Sequence, residues 1–456
     1  MIASQVAKLI GEVSYDALPS QAIEMAKLGV LDTVGVTLAG CDSDAVKITE
    51  KAVEANRING VSLVFGRGYF TTTENAALLN GIASHALDFD DCNNTMGGHP
   101  SVPIVPGLWA LAEDQSANGK DFLTSYAIGV EVETAIGAAV NFHHYEKGWH
   151  PTSTIGTFGA AAACAHLLKL DHAKTTNAIA IAASMAAGIK ANFGTMTKPF
   201  HVGQCARNGL LAARLAENGM TANPEVFEHK QGFFEVFNGK GNYSSQKLFE
   251  KWASPFDLVE PGIAFKQHPC CASTHPAIDA VLKLVETHNL NVSDIKVIRS
   301  WTHPRRFRHT NRPDPKSGLD AKFSVQYCLA RAVIHRAVLL EHFEDSAVSD
   351  LQVRDLMGRI QSQETETPSG STTEHFFADV EIVTKDDKTF STFVPYPDGR
   401  NRRYPLPDGK LDAKFLNCVS KKLRPDTSAK LLGLLKEIEM VDNITALSQI
   451  INIDYH

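Results

Sequence analysis

The chain has 456 residues, of which 44% are hydrophobic and 21% charged, and this composition suits a globular protein with a core large enough for two domains. A formal net charge of −7 argues against a nucleic-acid partner, because binding to backbone phosphates requires a basic surface. The most apolar run, Ala178 to Ile189, is shorter than the roughly 20 residues that a membrane span needs, and the N-terminus does not resemble a secretory signal. We therefore expect a cytoplasmic protein with no membrane partner.

Apolar residues at helical spacing predict helices along most of the first half of the chain. The predicted helices cover residues 4–13, 20–39, 44–56, 74–90, 103–113, 122–140, 155–168, 172–190 and 204–218. After about residue 262 the pattern changes: residues 295–301 alternate like a half-buried strand, and residues 380–394 predict a β-hairpin. The helical pattern returns after Asp408.

We therefore predict a mainly α fold with two domains. A large all-helical domain is built from residues 1–262 and the C-terminal helices of residues 405–456. A smaller α+β lid domain, residues 263–404, is inserted between them.

Acidic residues follow the predicted buried helix 74–90. His85, Asp88 and Asp91 have three-residue spacing, which on a helix directs side chains toward one place, and clustered acids are costly in a core unless they meet partners there. With Asp90 and His99 these acids could also bind Mg²⁺. An aspartate-rich terpene-synthase site is a distant alternative, but the chain has no second metal-binding motif and only 8% aromatic residues.

Three ionisable residues, His99, His150 and Lys198, each stand directly before a proline at the entry to a helix. We predict that they share one pocket. Lys198 and His201 are expected to precede a helix N-terminus, whose free N–H groups and dipole favour anions.

A second group of candidates lies in the predicted lid domain, where His268 and His275 flank a pair of adjacent cysteines at the domain junction. The alternative for His268 is a structural role in a hinge turn. Arg305 and Arg400 belong to two arginine clusters, and guanidinium groups match the geometry of carboxylates. The eight cysteines contain no C-x-x-C pair, which argues against a zinc site or an iron–sulfur cluster.

The motifs HALDFDD…GHPS, GWHPTSTIG, TKPFHVG, KQHPCC…THPAID and KFSVQY resemble those of the MmgE/PrpD family, in order from about residue 5 to residue 440. The resemblance implies an enzyme without cofactor or metal, usually a homodimer, whose site lies between a helical domain and a lid. Members include 2-methylcitrate dehydratase, cis-aconitate decarboxylase and iminodisuccinate epimerase, which all move a proton next to a carboxylate of a small di- or tricarboxylate.

Carried over by position, the resemblance implies a set of catalytic residues in this chain: Asp88, His99, His150, Lys198, His275 and Tyr327. His201, His268, Arg305 and Arg400 are the expected substrate-binding residues. His150 and His99 are the first choices for the base, with Asp88 orienting one imidazole. Dehydratases follow GHPS with Asp-Asn, whereas this chain continues from Ser101 with Val-Pro-Ile, and Cys92 stands where many relatives have threonine; both differences argue against 2-methylcitrate dehydratase. The Asn-Asn-Thr-Met-Gly-Gly run before His99 favours an epimerase of the iminodisuccinate type. The alternative is a lyase of the same family, either the dehydratase or the decarboxylase.

Overall fold

The computed structural model of the protein describes residues 1–370, 375–401 and 403–455 and divides into two compact units. The first, here called the helical unit, consists of Met1–Phe265 and the chain from Gly409 onward. The second, here called the sheet unit, is Lys266–Asp408. The fold is mainly α, as predicted. The placement of one unit as a lid over the other stays a prediction.

The helical unit contains most of the helices of the protein. Its elements up to residue 265 are α1 (Ile2–Gly11), α2 (Ser20–Gly40), α3 (Asp44–Val53), β1 (Ser62–Val64), β2 (Tyr69–Thr71), α4 (Thr73–His85), α5 (Ser101–Asp114), α6 (Gly119–Val140), α7 (His143–Lys147), α8 (Pro151–Thr154), α9 (Gly156–Leu167), α10 (His172–Met185), α11 (Thr197–Glu217), α12 (Phe233–Asn238) and α13 (Lys247–Glu250).

The prediction of an all-helical domain was wrong in one place, because β1 and β2 pair as an antiparallel hairpin. Leu63 and Val64 supply the β-branched and apolar residues that favour a strand, and both are buried. The hairpin leads directly into α4, whose side chains are nearly all buried. The described helices of the unit include none that is long and apolar enough to cross a membrane.

The centre of the helical unit is formed by α4, α5, α6, α9 and α11, and α4 packs most closely against α11. Two glycines permit this approach. A Cβ on Gly203 of α11 would lie 2.2 Å from the carbonyl oxygen of Leu78, and one on Gly81 of α4 would lie 2.7 Å from the Cα of Gly203. The backbones of the two helices are therefore in direct contact, and this contact brings the end of α4 beside the start of α11.

The sheet unit has a four-stranded sheet with helices packed against it. Its elements are α14 (His275–Thr287), β3 (Ile295–Thr302), α15 (Pro304–Thr310), α16 (Gly318–Ala321), α17 (Val325–His335), α18 (Leu351–Met357), β4 (Ile360–Glu364), β5 (Ala378–Thr384) and β6 (Thr389–Val394). The strand order is β4-β3-β5-β6, with β3 and β4 parallel and the other neighbours antiparallel. Buried and partly buried residues alternate along β5, the pattern of a sheet with one face on a core.

The last helices of the chain are α19 (Lys410–Val419), α20 (Pro425–Lys436) and α21 (Thr445–Asn452), and they belong to the helical unit. Lys414 of α19 reaches into its core, where the Nζ atom lies 2.6 Å from Oδ1 of the buried Asp32 on α2. The same ammonium donates to the carbonyl oxygen of Phe89 at 2.7 Å, just beyond α4. A C-terminal residue thus helps to hold the acidic segment in place.

Candidate active site

The helix that precedes the acidic segment ends earlier than predicted. α4 stops at His85 rather than continuing to residue 90, and Asp88 adopts a left-handed backbone conformation with φ of 53°. Carboxylates are unfavourable at the negative end of a helix dipole, which is a physical reason for the chain to turn away here. The acids consequently do not share a helix face, and the structure gives each one a different partner.

Asp90 is bound by two imidazoles. Its Oδ2 atom lies 2.7 Å from Nδ1 of His85 and 2.9 Å from Nδ1 of His99. The side chains of His85 and Asp90 are fully buried, whereas that of His99 is 14% exposed. We call these three residues the buried triad.

Asp91, the next residue, caps a helix. Its carboxylate accepts hydrogen bonds from the backbone N–H and the hydroxyl of Ser101 at the start of α5, and Tyr126 lies 2.6 Å from the same hydroxyl. Burial, followed by the nearby Asp32, raises the pKa of Asp91 well above its ordinary value. Neither Asp90 nor Asp91 is exposed, which is inconsistent with the aspartate-rich metal site of a terpene synthase.

The members of the buried triad differ in charge. Burial lowers the pKa of His85 to about 4 in spite of the Asp90 carboxylate, so this ring is neutral at pH 7. Burial also opposes a charge on His99, but the Asp90 carboxylate and then the Cys92 sulfur outweigh it and raise the pKa of His99 to about 10. The Asp90 carboxylate, although buried, has a pKa well below its ordinary value because the two imidazoles stabilise its charge. At neutral pH the triad consists of one carboxylate, one imidazolium and one neutral imidazole, so its net charge is zero.

Asp88 forms an ion pair with Lys198, whose Nζ atom lies 2.6 Å from its Oδ1 atom, and both side chains are about one-seventh exposed. Asp88 thus binds the amine of Lys198, and Asp90 contacts two imidazoles. The expectation that Asp88 orients an imidazole stays a prediction. Lys198 lies within the first turn of α11 instead of preceding the helix, because Pro199 fits a first turn, where its missing N–H costs nothing.

His150 occupies the N-cap position of α8, and its side chain is buried. Its Nδ1 atom lies 3.2 Å from Nδ1 of His201 on α11, and its ring packs edge-on against Phe193 at a centroid distance of 4.8 Å. Burial, and then the neighbouring His85 and Lys198, hold the pKa of His150 well below its ordinary value. Burial, with Lys198, also lowers the pKa of His201.

The four imidazoles of the helical unit follow one another in space. Ring centroids are 4.7 Å apart from His99 to His85, 5.7 Å from His85 to His150 and 5.5 Å from His150 to His201. The facing Nδ1 atoms of His150 and His201 share a single hydrogen. The ring that donates this hydrogen has a bare Nε2 atom, which is an acceptor, and the other ring carries Nε2–H, which is a donor. Only His99 of the four is a cation at neutral pH.

The structure thus brings together the predicted site residues of the N-terminal half, namely Asp88, His99, His150, Lys198 and His201. His85 and Asp90 belong to the same cluster but were missing from the predicted site. Their signal in the sequence was a histidine ending a buried helix five residues before an acid. That spacing did not reveal which of three neighbouring acids the histidine would bind.

The other predicted site residues belong to the sheet unit. His268 lies 2.9 Å from Asp279, its ring is 5.1 Å from that of His275, and His275 contacts the carbonyl oxygen of Cys270 at 3.3 Å. The fully buried Tyr327 hydroxyl donates to the carbonyl of His342 and accepts from Arg331 Nε at 3.0 Å, so its proton is already used within the unit.

The two arginines of the predicted substrate site also lie in the sheet unit. Arg305 is half-buried on α15. The guanidinium of Arg400 is buried and lies 4.0 Å from the centroid of the Phe376 ring, within the range of a cation–π contact.

The buried triad is also the one place in the described chain where three potential metal ligands converge, with ligand atoms within 4.8 Å of one another. The 2.7 Å contact from Nδ1 of His85 to Oδ2 has hydrogen-bond geometry, and Nδ1 of His99 lies within ion-pair distance of the same oxygen. Together with Lys198, the cluster can neutralise an anionic ligand and exchange protons with it.

Residues 4–246 match the MmgE/PrpD N-terminal domain, and residues 268–438 match the MmgE/PrpD C-terminal domain. The chain therefore belongs to the MmgE/PrpD family, as the motifs predicted. The second match extends beyond the sheet unit into α20 of the helical unit.

Several curated relatives match over nearly the whole length of the chain. Cis-aconitate decarboxylase of Homo sapiens is 29% identical over 99% of this chain and 94% of the relative. Cis-aconitate decarboxylase of Mus musculus is 29% identical over 99% of this chain and 93% of the relative. Cis-aconitate decarboxylase of Aspergillus terreus strain NIH 2624 is 25% identical over 99% of this chain and 96% of the relative. These relatives favour the lyase alternative over the expected epimerase.

Proposed function

We propose that the protein is a lyase that decarboxylates cis-aconitate or a similarly small unsaturated tricarboxylate. The relatives that match along the whole chain carry this activity in their names. The observation that carries the proposal is the charge distribution of the imidazole array: His99 is protonated at neutral pH, whereas His85 and His150 are not. The site therefore has one strong candidate for a proton donor.

In the proposed reaction, His99 donates its proton to the CH carbon of the double bond, and the electron pair of that double bond forms the new carbon–hydrogen bond. The bond between the methylene carbon and its carboxylate breaks, its electron pair forms a new double bond between the methylene carbon and the central carbon, and CO₂ leaves. The product is an unsaturated dicarboxylate, and His99 recovers its proton from solvent. Positioned acids of this kind contribute roughly 10²- to 10⁴-fold to a rate.

Lys198 supplies the second cation of the site. Its ammonium, fixed by Asp88 at 2.6 Å, lies on the first turn of α11, where the helix dipole also favours an anion. We assign it to a carboxylate that the substrate retains. Neutral His150 and the ring of Phe193 form a less polar part of the same cluster. A substrate carboxylate bound there would be weakly solvated, which favours its loss as neutral CO₂.

The epimerase and the dehydratase differ from the decarboxylase in their first step, since both remove a proton from carbon. Neutral His150 could act as that base, so residue identity does not decide between the reactions. The names of the relatives favour the decarboxylase, and we place the epimerase behind it for this reason.

The test is incubation of the purified protein with cis-aconitate, 2-methylcitrate and iminodisuccinate in deuterated water, followed by NMR and by detection of CO₂. The proposal predicts CO₂ from cis-aconitate and a product with one deuterium on the newly protonated carbon. Exchange or inversion without CO₂ would indicate an epimerase, and loss of water from 2-methylcitrate would indicate the dehydratase. Either of these results in the absence of CO₂ would overturn the proposal.

A further inference from the structure

The Asp90 carboxylate is unusual because its polar partners are imidazole rings rather than backbone N–H groups. Its Oδ2 atom accepts a hydrogen bond from Nδ1 of His85 and lies 2.9 Å from Nδ1 of His99, while its buried Oδ1 atom has no hydrogen-bond partner among the described residues. A buried anion without a nearby cation costs several kcal/mol. One of the two imidazoles must therefore carry the compensating charge.

The surroundings decide which imidazole that is. His85 is fully buried, and the ammonium of Lys198 and the rings of His99 and His150 all lie near it. These surroundings disfavour a positive charge on the His85 ring. His99 is partly exposed, and its Nδ1 atom also lies 3.8 Å from Sγ of Cys92. The compensating proton is therefore on His99. His85 donates to Asp90 from Nδ1 as a neutral ring.

Backbone contacts hold this arrangement in place. The N–H of His99 donates to the hydroxyl of Thr152 on α8 at 3.1 Å, and a Cβ on Gly98 would come within 2.7 Å of the same hydroxyl oxygen. Cys92 is held by a pair of 2.8 Å backbone hydrogen bonds with Ala264. These contacts fix the backbone of the loop that carries His99, and the contact with Asp90 orients the His99 ring.

We propose that Asp90 is a positioning residue that holds His99 as an imidazolium with a fixed ring, and that His85 in turn fixes Asp90. The proposal rests on the proposed function in that His99 is the proton donor of that reaction. Asp90 itself does not need to touch the substrate. The pairing has a direct consequence for pH dependence: while Asp90 is present, the acid stays protonated throughout the neutral range.

The decisive variant is Asp90→Asn, which keeps the size of the side chain and removes its charge. Without the anion, the pKa of His99 should fall to about 6.5, the ordinary value for histidine, or below it because the ring is buried. At pH 8 the protonated fraction would then drop from nearly all to about 3%, so kcat should fall about 30-fold. Near pH 5.5 the loss should shrink to a few-fold, because the ring is protonated again.

A second pair of variants tests the role of His85. An asparagine amide can take the place of a histidine Nδ1–H donor, whereas leucine cannot. We expect His85→Leu to lower kcat several-fold with little change in KM, and His85→Asn to recover most of that loss. A purely structural role of His85 would instead lower the amount of folded protein in both variants without separating kcat from KM.

Histidine side-chain NMR without substrate separates this proposal from the proposed function. The His99 signal, assigned by its loss in His99→Gln, should remain that of an imidazolium from pH 6 to pH 9 and should titrate near neutrality in Asp90→Asn. Absence of cis-aconitate turnover would overturn the function and leave this pairing standing. A His99 signal that titrates near pH 6.5 in the unaltered protein, or an unchanged pH profile of Asp90→Asn, would overturn the pairing.

Metal analysis of the same samples completes the test, because the triad atoms are close enough together to hold an ion. The proposal predicts that a chelator leaves turnover unchanged. One divalent ion per chain that is lost in Asp90→Asn, together with loss of activity on chelation, would overturn it.

Discussion

Each unit of the protein contains a histidine–aspartate pair at the same distance range, but the two aspartates use their oxygens differently. In the helical unit, Asp90 binds two rings through one oxygen at 2.7 and 2.9 Å. In the sheet unit, Asp279 binds His268 at 2.9 Å through one oxygen and accepts the backbone N–H of Asp398 at 3.1 Å through the other.

The remaining partners of each carboxylate indicate its role. Asp279 connects α14 to a segment more than a hundred residues later in the chain, so it acts as a structural tie. Among the described residues, Asp90 has only imidazoles as hydrogen-bond partners, so it acts mainly through its charge. A distance between histidine and aspartate alone does not distinguish these roles, but the remaining partners of the carboxylate do.

The largest effect is expected for His99→Gln, which removes the proposed acid. We expect kcat for CO₂ release to fall by about 10²- to 10⁴-fold, the range typical of a positioned acid. The matched control is His166→Gln. This half-buried histidine lies away from the site, with the Ser125 hydroxyl at 2.8 Å and the Val13 carbonyl oxygen at 3.3 Å. A loss of less than tenfold in His99→Gln would remove it from the mechanism.

A smaller effect is expected for Lys198→Met, which keeps much of the side-chain length and removes the charge. We expect KM to rise and kcat/KM to fall by about 10- to 10²-fold, since a hydrogen bond to a charged group is worth roughly 1.5–3 kcal/mol. Steady-state kinetics measure both quantities. Lys169→Met serves as the control, because Lys169 is 76% exposed and pairs with Asp121. Equal losses in the two variants would contradict a specific role for Lys198.

The smallest effect on activity, and a clear effect on stability, is expected for Asp279→Asn. The amide can accept from only one side, so either His268 or the N–H of Asp398 loses its acceptor. We expect the free energy of unfolding to fall by about 1–3 kcal/mol, measured by chemical denaturation, with kcat per folded molecule changed less than about threefold. If kcat instead fell as it does in Asp90→Asn, the contrast between the two aspartates would not hold.

Much of the architecture was predictable. Apolar periodicity located the main helices of the helical unit, and alternation located the β5–β6 hairpin and most of β3. The β1–β2 hairpin was missed because a three-residue strand is too short to show a period. The early start of α11 was missed because Pro199 was interpreted as preceding the helix rather than lying in its first turn.

The sequence was sufficient to identify the family and the kinds of group in the candidate site, because His99, His150 and Lys198 stand in long, specific motifs. It could not assign the acids. Asp88, Asp90 and Asp91 lie within four residues and look alike in a sequence, yet one binds a lysine 110 residues later, one binds two histidines and one caps a helix. Assigning these partners required the folded structure, because the charge and the role of a buried carboxylate depend on the donors that packing places around it.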